Sequence, residues 1–320
     1  MQYLGYCGKY NHILIELNLV AMKKYLVAII SSLLAFVGCT ETTIGYENLE
    51  DFINSSYVVK AENVIFYTSS DGKIVEPDQS GVDIFGANIV SNTYKYGLGI
   101  IEFDRPVTTI GSYAFSNCTS LTSVIIPNSV TSIGDWAFRN CSKLTSVTIP
   151  NSVTSIGDCA FEFCFSLTAF DGKFASDDNR CLVVDGELIA FAPSGLTKYT
   201  IPNSVTSIGY CAFFYCSSLT SVTIPDSITS IGDQAFGYCS SLTSVTIPNS
   251  VTSIGILAFH DCSSLKEVYC KPTTPPSGGG GMFDRNASGR KIYVPTASVS
   301  KYQAYFYWSD YASDIVGYNF

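Results

Sequence analysis

An α/β repeat solenoid is the fold class that this sequence predicts, on three observations. The pattern IGxxAFxxCxxLTSVTIPxSVTS begins at Ile110, repeats 23 residues later at Ile133, and returns from Ile156, Ile208, Ile231 and Ile254. A fixed period of this length marks stacked units rather than a closed globule. Inside the unit the apolar spacing changes, from one helical turn at Ala114, Phe115 and Cys118 to a strand at Leu121, Val124 and Ile126. Finally, the columns held by Ile, Gly, Ala, Phe, Cys, Leu, Val and Pro barely change between units, as packing demands, whereas the third, fourth, seventh and eighth positions vary freely.

Each rung is expected to contain a strand, a turn, a second short strand and a helical turn. Pro127 ends the first strand because it has no N–H to give the ladder. Asn128-Ser129 makes the turn, Val130 and Ile133 mark the second extended piece, and Gly134 allows a tight reversal into the helical turn. A single rung exposes too much apolar surface to stand alone; stacking covers both of its faces and bonds its strand to two neighbours, so the repeat number is part of the stability.

The pattern resembles the BspA-like branch of bacterial leucine-rich repeats over roughly residues 98–295. That resemblance implies a leucine-rich-repeat stack, right-handed, with a cell-surface or secreted binding role of the adhesion type, and it brings no catalytic residues with it. Two rungs depart from the pattern. Leu98, Ile101, Phe103, Val107 and Ile110 stand 23 residues before Leu121, Val124, Ile126, Val130 and Ile133, so LGIIEFDRPVTTI is a degenerate first rung. Leu167 to Leu196 spans 29 residues instead of 23, and CLVVDGELIAF within it reads as a β-hairpin about Asp185-Gly186 that replaces the usual turn and helical piece. The stack is expected to continue through this modified rung, 167–196, because LTAF and LTKYTIP on either side keep the strand pattern.

At the N-terminal end, residues 1–21 read as an upstream over-extension of the chain. Met22-Lys23-Lys24 followed by YLVAIISSLLAFVG has the charged and apolar regions of an export signal over residues 22–38, and Gly38-Cys39 resembles a lipobox with Cys39 as the lipidated residue. A cleaved secretory signal and an uncleaved anchor are the other readings, and all three put the repeats outside the cytoplasm. Residues 39–60 form a tether. Residues 61–97 form an N-terminal β cap, in which NVIFYTSSDGKIV reads as two strands about Ser70-Asp71-Gly72 that cover the open first rung. After the last repeats KPTTPPSGGGG reads as a flexible loop, KIYVP supplies a final strand, and residues 296–320 form a helical C-terminal cap built on Tyr302, Phe306, Trp308, Tyr311 and Ile315.

The chain of 320 residues is 47% apolar and carries a net charge of -9, which supplies a core and disfavours nucleic acid as a partner. Of its 12 cysteines, Cys118, Cys141, Cys164, Cys216, Cys239 and Cys262 share one column beside the Phe column. A buried reduced ladder fits that column; pairing between adjacent rungs and metal binding are the alternatives. Cys159 and Cys211 fall in an outward column, and Cys181 in the hairpin core. His260 stands alone in an outward column and reads as a solvated residue, with Asp261 adjacent rather than behind it as a triad requires. Asp177-Asp178 reads as a solvated turn. No cofactor, metal site or catalytic set is expected, so the chain reads as no enzyme.

What remains for function is surface. The variable columns set Tyr113, Trp136, Arg139, Phe163, Tyr215 and Tyr238 outward, as contact anchors for a partner or, on the bland reading, packed sideways on the next rung. The strand face offers Thr148, Thr200, Thr223 and Thr246 beside Ser146, Ser221 and Ser244, a hydroxyl surface able to meet glycans. The expected function is a non-enzymatic lipoprotein, tied to the membrane by its lipid and exposed at the outer-membrane surface or on the periplasmic face, that binds an extracellular protein or glycan. The alternatives are a structural envelope component without soluble ligand and a glycan-acting enzyme.

Overall fold

The computed structural model describes residues 62–78, 84–95 and 97–320. The expected signal, Cys39 and the whole of the tether lie outside the described residues. Two walls of short parallel strands run the length of the repeats. One wall holds Leu121–Ile125, Ser146–Ile149 and Ala169–Gly172, and the other Thr109–Ile110, Ser132–Ile133 and Ser155–Ile156. Their register keeps the repeat period: Val124 lies opposite Val147, which lies opposite Phe170, and Ile110 opposite Ile133, which lies opposite Ile156. The inward column residues Ile133, Ala137, Phe138, Cys141, Leu144 and Val147 are buried between the walls.

The third side of each rung is not a helical turn. From Gly111 to Leu121 alternate N–H groups serve two masters. Those of Ala114, Ser116 and Cys118 close tight turns onto the carbonyls of Gly111, Tyr113 and Phe115, whereas those of Tyr113, Phe115 and Asn117 cross to Asp135, Ala137 and Arg139 of the next rung. An α-helix would spend every N–H on its own i−4 carbonyl and leave none for the stack. The alternation requires left-handed backbone at the fourth and eighth positions: Tyr113, Asn117, Trp136 and Asn140 have φ of 62°, 62°, 53° and 58°. The one α-helix among the described residues is Val299–Ala304, in the C-terminal cap.

The glycine column also has a different cause from the reversal expected of Gly134. A Cβ on Gly134 would stand 2.5 Å from the Ser112 nitrogen, and one on Gly255 2.4 Å from that of Asp233. Glycine is required because one rung's backbone lies against the next. The same close approach overturns the reading of SGGGG as a flexible loop. Ser277–Gly278 pairs with Ser253–Ile254, Gly279 lies against Ile256, and Met282 and Phe283 fill the Ala and Phe columns. This run is the turn side of the last rung.

At the N-terminal end, Val64–Ser69 forms a strand, but the second strand expected directly after Gly72, at Lys73-Ile74-Val75, does not form. Val64–Ser69 pairs antiparallel with Leu98–Phe103 on one side and Leu121–Ile125 on the other, and Ile89–Lys95 covers the outer edge of Leu98–Phe103. The run VIFYT is apolar on both faces and buried over Ile65–Thr68, as befits a central strand and not an edge. The C-terminal end closes with a strand as well as the short helix: Ile315–Tyr318 pairs parallel with Lys291–Pro295. Tyr302, Trp308, Tyr311 and Ile315 are buried there, with the Trp308 indole donating to the Pro276 carbonyl at 2.8 Å, while Phe306 is 71% exposed. Arg290, almost fully buried, donates to Asp314 at 2.6 Å and lies over the Tyr311 ring.

The modified rung interrupts both walls. Lys198–Thr200 starts a new sheet that continues through Ser221–Thr223, Ser244–Ile247 and Glu267–Cys270, and the hairpin Cys181–Val184 with Glu187–Phe191 starts another that continues through Ser207–Ile208. The apolar core divides here too. Leu182, Ala190 and Ala192 face the N-terminal core, whereas Cys181, Leu188 and Phe191 face the C-terminal one. The hairpin is a partition whose two faces serve the two cores, with a register shift between Leu182 and Val183 that puts Leu188 and Ala190 on opposite sides.

Candidate binding surface

The variable positions lie along the turn side of the stack, where left-handed backbone points their side chains out. Tyr113, 42% exposed, stacks on Trp136 of the next rung at 5.2 Å between ring centres. These rings pack sideways on the next rung, and Tyr113 and Tyr215 stay 42% and 36% exposed. Arg139 pairs with Glu162 at 2.7 Å and sits 5.2 Å over the Phe163 ring.

On the turn side a ring cluster forms where the modified rung supplies no turn. In its absence the turn carrying Phe163 closes directly on the turn carrying Phe214 and Tyr215, with ring centres 5.8 and 5.1 Å apart although the residues are about fifty positions distant in sequence. Tyr215 stacks in turn on Tyr238 at 4.6 Å, and Tyr238 meets the edge of His260. Phe165 and Tyr215 are 45% and 36% exposed. Beneath the rings lies a cavity of about 30 Å³, the space of a water molecule or two, lined by Cys159, Phe161, Glu162, Phe163 and Cys211 among others. Beside it a shallow cleft of about 260 Å³ is lined by Phe165, Pro193, Gly195, Tyr215 and Leu219.

Backbone groups are also left over at this seam. In regular rungs the N–H groups of Trp136, Phe138 and Asn140 cross to the carbonyls of Asp158, Ala160 and Glu162. The equivalent groups of Cys159, Phe161 and Phe163 face a rung that has no turn to receive them.

The strand face carries a second aromatic group that the repeat pattern held but the sequence reading missed. The exposed threonine column runs from Thr200 through Thr223 and Thr246, and Thr246 lies opposite Tyr269, which lies opposite Tyr293. The two tyrosines stack at 4.9 Å, Tyr318 packs edge-on against both, and Phe320 follows at 5.0 Å from Tyr318. The signal was EVYC and KIYVP, which place Tyr where earlier rungs have Thr. Another threonine column is structural: Thr145, Thr168, Thr220 and Thr243 each donate both the N–H and the hydroxyl to the threonine carbonyl one rung earlier.

The cysteine column is buried, and its members act on the backbone. The thiols of Cys141, Cys164, Cys239 and Cys262 donate to the carbonyls of Phe115, Phe138, Phe213 and Phe236 in the preceding rung at 3.1–3.2 Å. Burial pushes the Cys118, Cys164 and Cys262 thiols up to about 12, so they are neutral in the fold. Cys159, expected to face outward, is only 5% exposed, because the turn beyond the partition covers it. His260 is not solvated either: its side chain is 15% exposed, and Nε2 lies 2.9 Å from Asp261, which Arg285 also approaches at 3.5 Å. Its Nδ1 is buried with no partner, so no nucleophile is tied to this imidazole. Among the described residues no group of three or more His, Cys, Asp or Glu side chains is placed to hold a metal ion, and no helix is long and apolar enough to cross a membrane.

The sequence profile of the BspA type leucine rich repeat region matches residues 87–174 and 188–312, in six copies. The break between the two stretches falls on the partition. No curated protein sequence matches the chain. Among solved structures, a leucine-rich repeat protein from Eubacterium ventriosum is 22% identical with a TM-score of 0.42; the match covers 61% of this chain and 66% of that one. A leucine rich cell surface protein from Faecalibacterium prausnitzii is 19% identical with a TM-score of 0.38, over 83% of this chain and 98% of that one. The leucine rich repeat protein of T. pallidum is 29% identical over 51% of this chain and 73% of its own, with a TM-score of 0.33. With the repeat columns filled as described and the profile matched over most of the chain, this protein belongs to the BspA-type leucine-rich repeat family.

Proposed function

We propose that the protein is a non-enzymatic binding module of the cell envelope, held to the outer membrane by a lipid on Cys39 and facing the cell surface, with an extracellular protein or glycan as partner. The observation that carries the reading is the aromatic cluster at the seam. Phe163, Phe165, Phe214, Tyr215 and Tyr238 come from three rungs into one patch, with Arg139 at its edge and the Trp136–Tyr113 stack beyond. Aromatic rings and arginine held without freedom to rearrange lose little entropy on binding and dominate contact energy. A cell-surface place is typical of the family, and the export-type leader at residues 22–38 supports it.

The test is binding to an array of immobilised extracellular-matrix proteins and glycans. Trp136→Ala with Tyr215→Ala is expected to weaken the captured interaction by about 2 kcal/mol, roughly thirtyfold, with the melting transition nearly unchanged. A second reading rests on the strand-face tyrosines, whose stacked, half-exposed rings beside a threonine column suit a sugar ring. Loss of glycan binding in Tyr269→Ala with Tyr293→Ala, and none in the Trp136 and Tyr215 pair, moves the site to that face. Undiminished binding in both pairs sinks both surfaces.

A further inference from the structure

Ten cysteines among the described residues carry free thiols, and eight of them lie in the cores or in the buried column. Cys159 and Cys211 are different. They hold the fourth position of the turns on either side of the partition, both with left-handed backbone at φ 51° and 56°, and both line the cavity under the aromatic cluster. Neighbouring turns place fourth-position side chains in contact, as Tyr113 and Trp136 show. Because the modified rung contributes no turn, the turns of Cys159 and Cys211 have become neighbours, and Phe163 and Tyr215, the eighth-position residues of the same two turns, lie 5.1 Å apart between ring centres.

We propose that Cys159 and Cys211 form a reversible disulfide that staples the two halves of the solenoid across the partition. Stacked rungs stand about 4.8 Å apart, within the Cα separation of about 4.4–6.8 Å that a disulfide spans. The oxidant is another disulfide, either a small molecule of the glutathione disulfide class or an envelope dithiol–disulfide oxidoreductase. Cys211, half-buried, is the thiol that solvent reaches; Cys159, 5% exposed, lies behind it. The Cys211 sulfur, having lost its proton, attacks one sulfur of the oxidant and expels the other as a thiolate, which takes up a proton. Cys159 then loses its proton, attacks the Cys211 sulfur of the mixed disulfide and releases the second thiol. Two protein thiols and one disulfide become one protein disulfide and two small thiols, so two electrons pass to the oxidant. The Cys211 side chain, with burial second, raises the Cys159 thiol, so Cys159 is the resolving thiol and not the one that attacks the oxidant first. The six column cysteines share the rung spacing, but they are buried and four of them donate to backbone carbonyls, so they serve as internal controls.

The experiment uses the full chain, reduced, freed of reductant and incubated folded with glutathione disulfide, then acid-quenched and alkylated in denaturant. Expected are the loss of two alkylated thiols, a linked peptide pair containing Cys159 and Cys211, and recovery of both thiols with a phosphine reductant. The oxidised chain is expected to unfold at a higher urea concentration than the reduced chain, and Cys211→Ser treated in the same way is expected to show no shift. A full count of alkylated thiols, a glutathione adduct that persists on Cys211, or a linkage to a column cysteine would each overturn the pairing. A mapped Cys159–Cys211 linkage with an unchanged urea midpoint would overturn the staple.

Discussion

The regular rungs and the partition solve the same problem with opposite means. In a regular rung one aromatic side chain fills the core and stacks on its counterparts, as Phe138 does between Phe115 and Phe161 at 5.3 Å on both sides with rings 3° from parallel. At the partition that file is cut: Phe161 meets Phe170 edge-on at 5.2 Å, and Phe213 meets Phe191 at 4.7 Å and a 36° tilt. Regular rungs also cross-bond strands and turns to the next rung, whereas the partition bonds forward through Glu187–Phe191 and Ser207–Ile208 and backward through Val183 to the Phe174 carbonyl and the Ala175–Leu182 bridge, without the turn-to-turn bonds. A repeat stack is cooperative only as far as its neighbour-to-neighbour coupling carries. Replacing one turn by a hairpin keeps the apolar contact and removes the turn-to-turn hydrogen bonds, so the molecule should behave as two coupled stacks.

Core truncation gives the largest test of that difference. Phe138 in the N-terminal core and Phe236 in the C-terminal core are both fully buried, and replacing either by Ala should cost about 3–5 kcal/mol. With weak coupling at the partition, Phe138→Ala lowers one urea transition and Phe236→Ala the other, as followed by Trp136 fluorescence on one side and Trp308 on the other. If both variants lower a single transition by the same amount, the partition transmits as well as a regular rung and the comparison fails.

An intermediate effect is expected in backbone protection. Amides that cross to the next turn should exchange slowly, as for Trp136, Phe138 and Asn140 at 2.9, 2.7 and 2.7 Å from their acceptors. The equivalent amides of Cys159, Phe161 and Phe163 should exchange at least about tenfold faster, the equivalent of ~1.4 kcal/mol, within the usual range for one net hydrogen bond. Equal protection by hydrogen–deuterium exchange would mean that the seam has its own partners for these groups.

How much of this was legible follows from what each feature depends on. The strand columns were readable because Val124, Ile126 and their repeats bury with a fixed period, and the 29-residue spacing with Asp185-Gly186 marked the modified rung and its hairpin. The helical turn was misread because Ala114, Phe115 and Cys118 have a spacing that both a helical turn and a chain of tight turns can bury. Only the left-handed residues separate the two, and Tyr113, Trp136 and Tyr238 are not residue types that signal positive φ. The SGGGG run deceived for the opposite reason: glycine suggests freedom, yet Gly279 is fixed by the backbone of Ile256. The seam cluster could not be read in sequence, since Phe163 and Tyr215 become neighbours only because the intervening rung lacks a turn.

The smallest effect separates two cysteines of one column. Cys239 donates to the Phe213 carbonyl at 3.1 Å, whereas Cys216 follows the partition, which has no turn to offer a carbonyl in that place. Both are nearly inaccessible, so replacing either by Ala removes a similar volume, but only Cys239→Ala also removes a hydrogen bond. Cys239→Ala should therefore cost more at pH 7, by about 0.5–1 kcal/mol. Alkaline pH supplies the control. Burial raises both thiols above the ordinary cysteine value near 8.5, so each stays neutral in the fold at a pH where the unfolded chain releases its proton. Their contribution is fully present below about pH 8.5 and is lost as pH rises toward the folded values, at up to about 1.4 kcal/mol per pH unit for each thiol. Between pH 9 and 10 either substitution should make the fall in urea midpoint shallower, and by the same amount. Equal costs at pH 7 would show that the carbonyl bond contributes nothing, whereas an unchanged slope above pH 9 would show that the column thiols ionise within the fold.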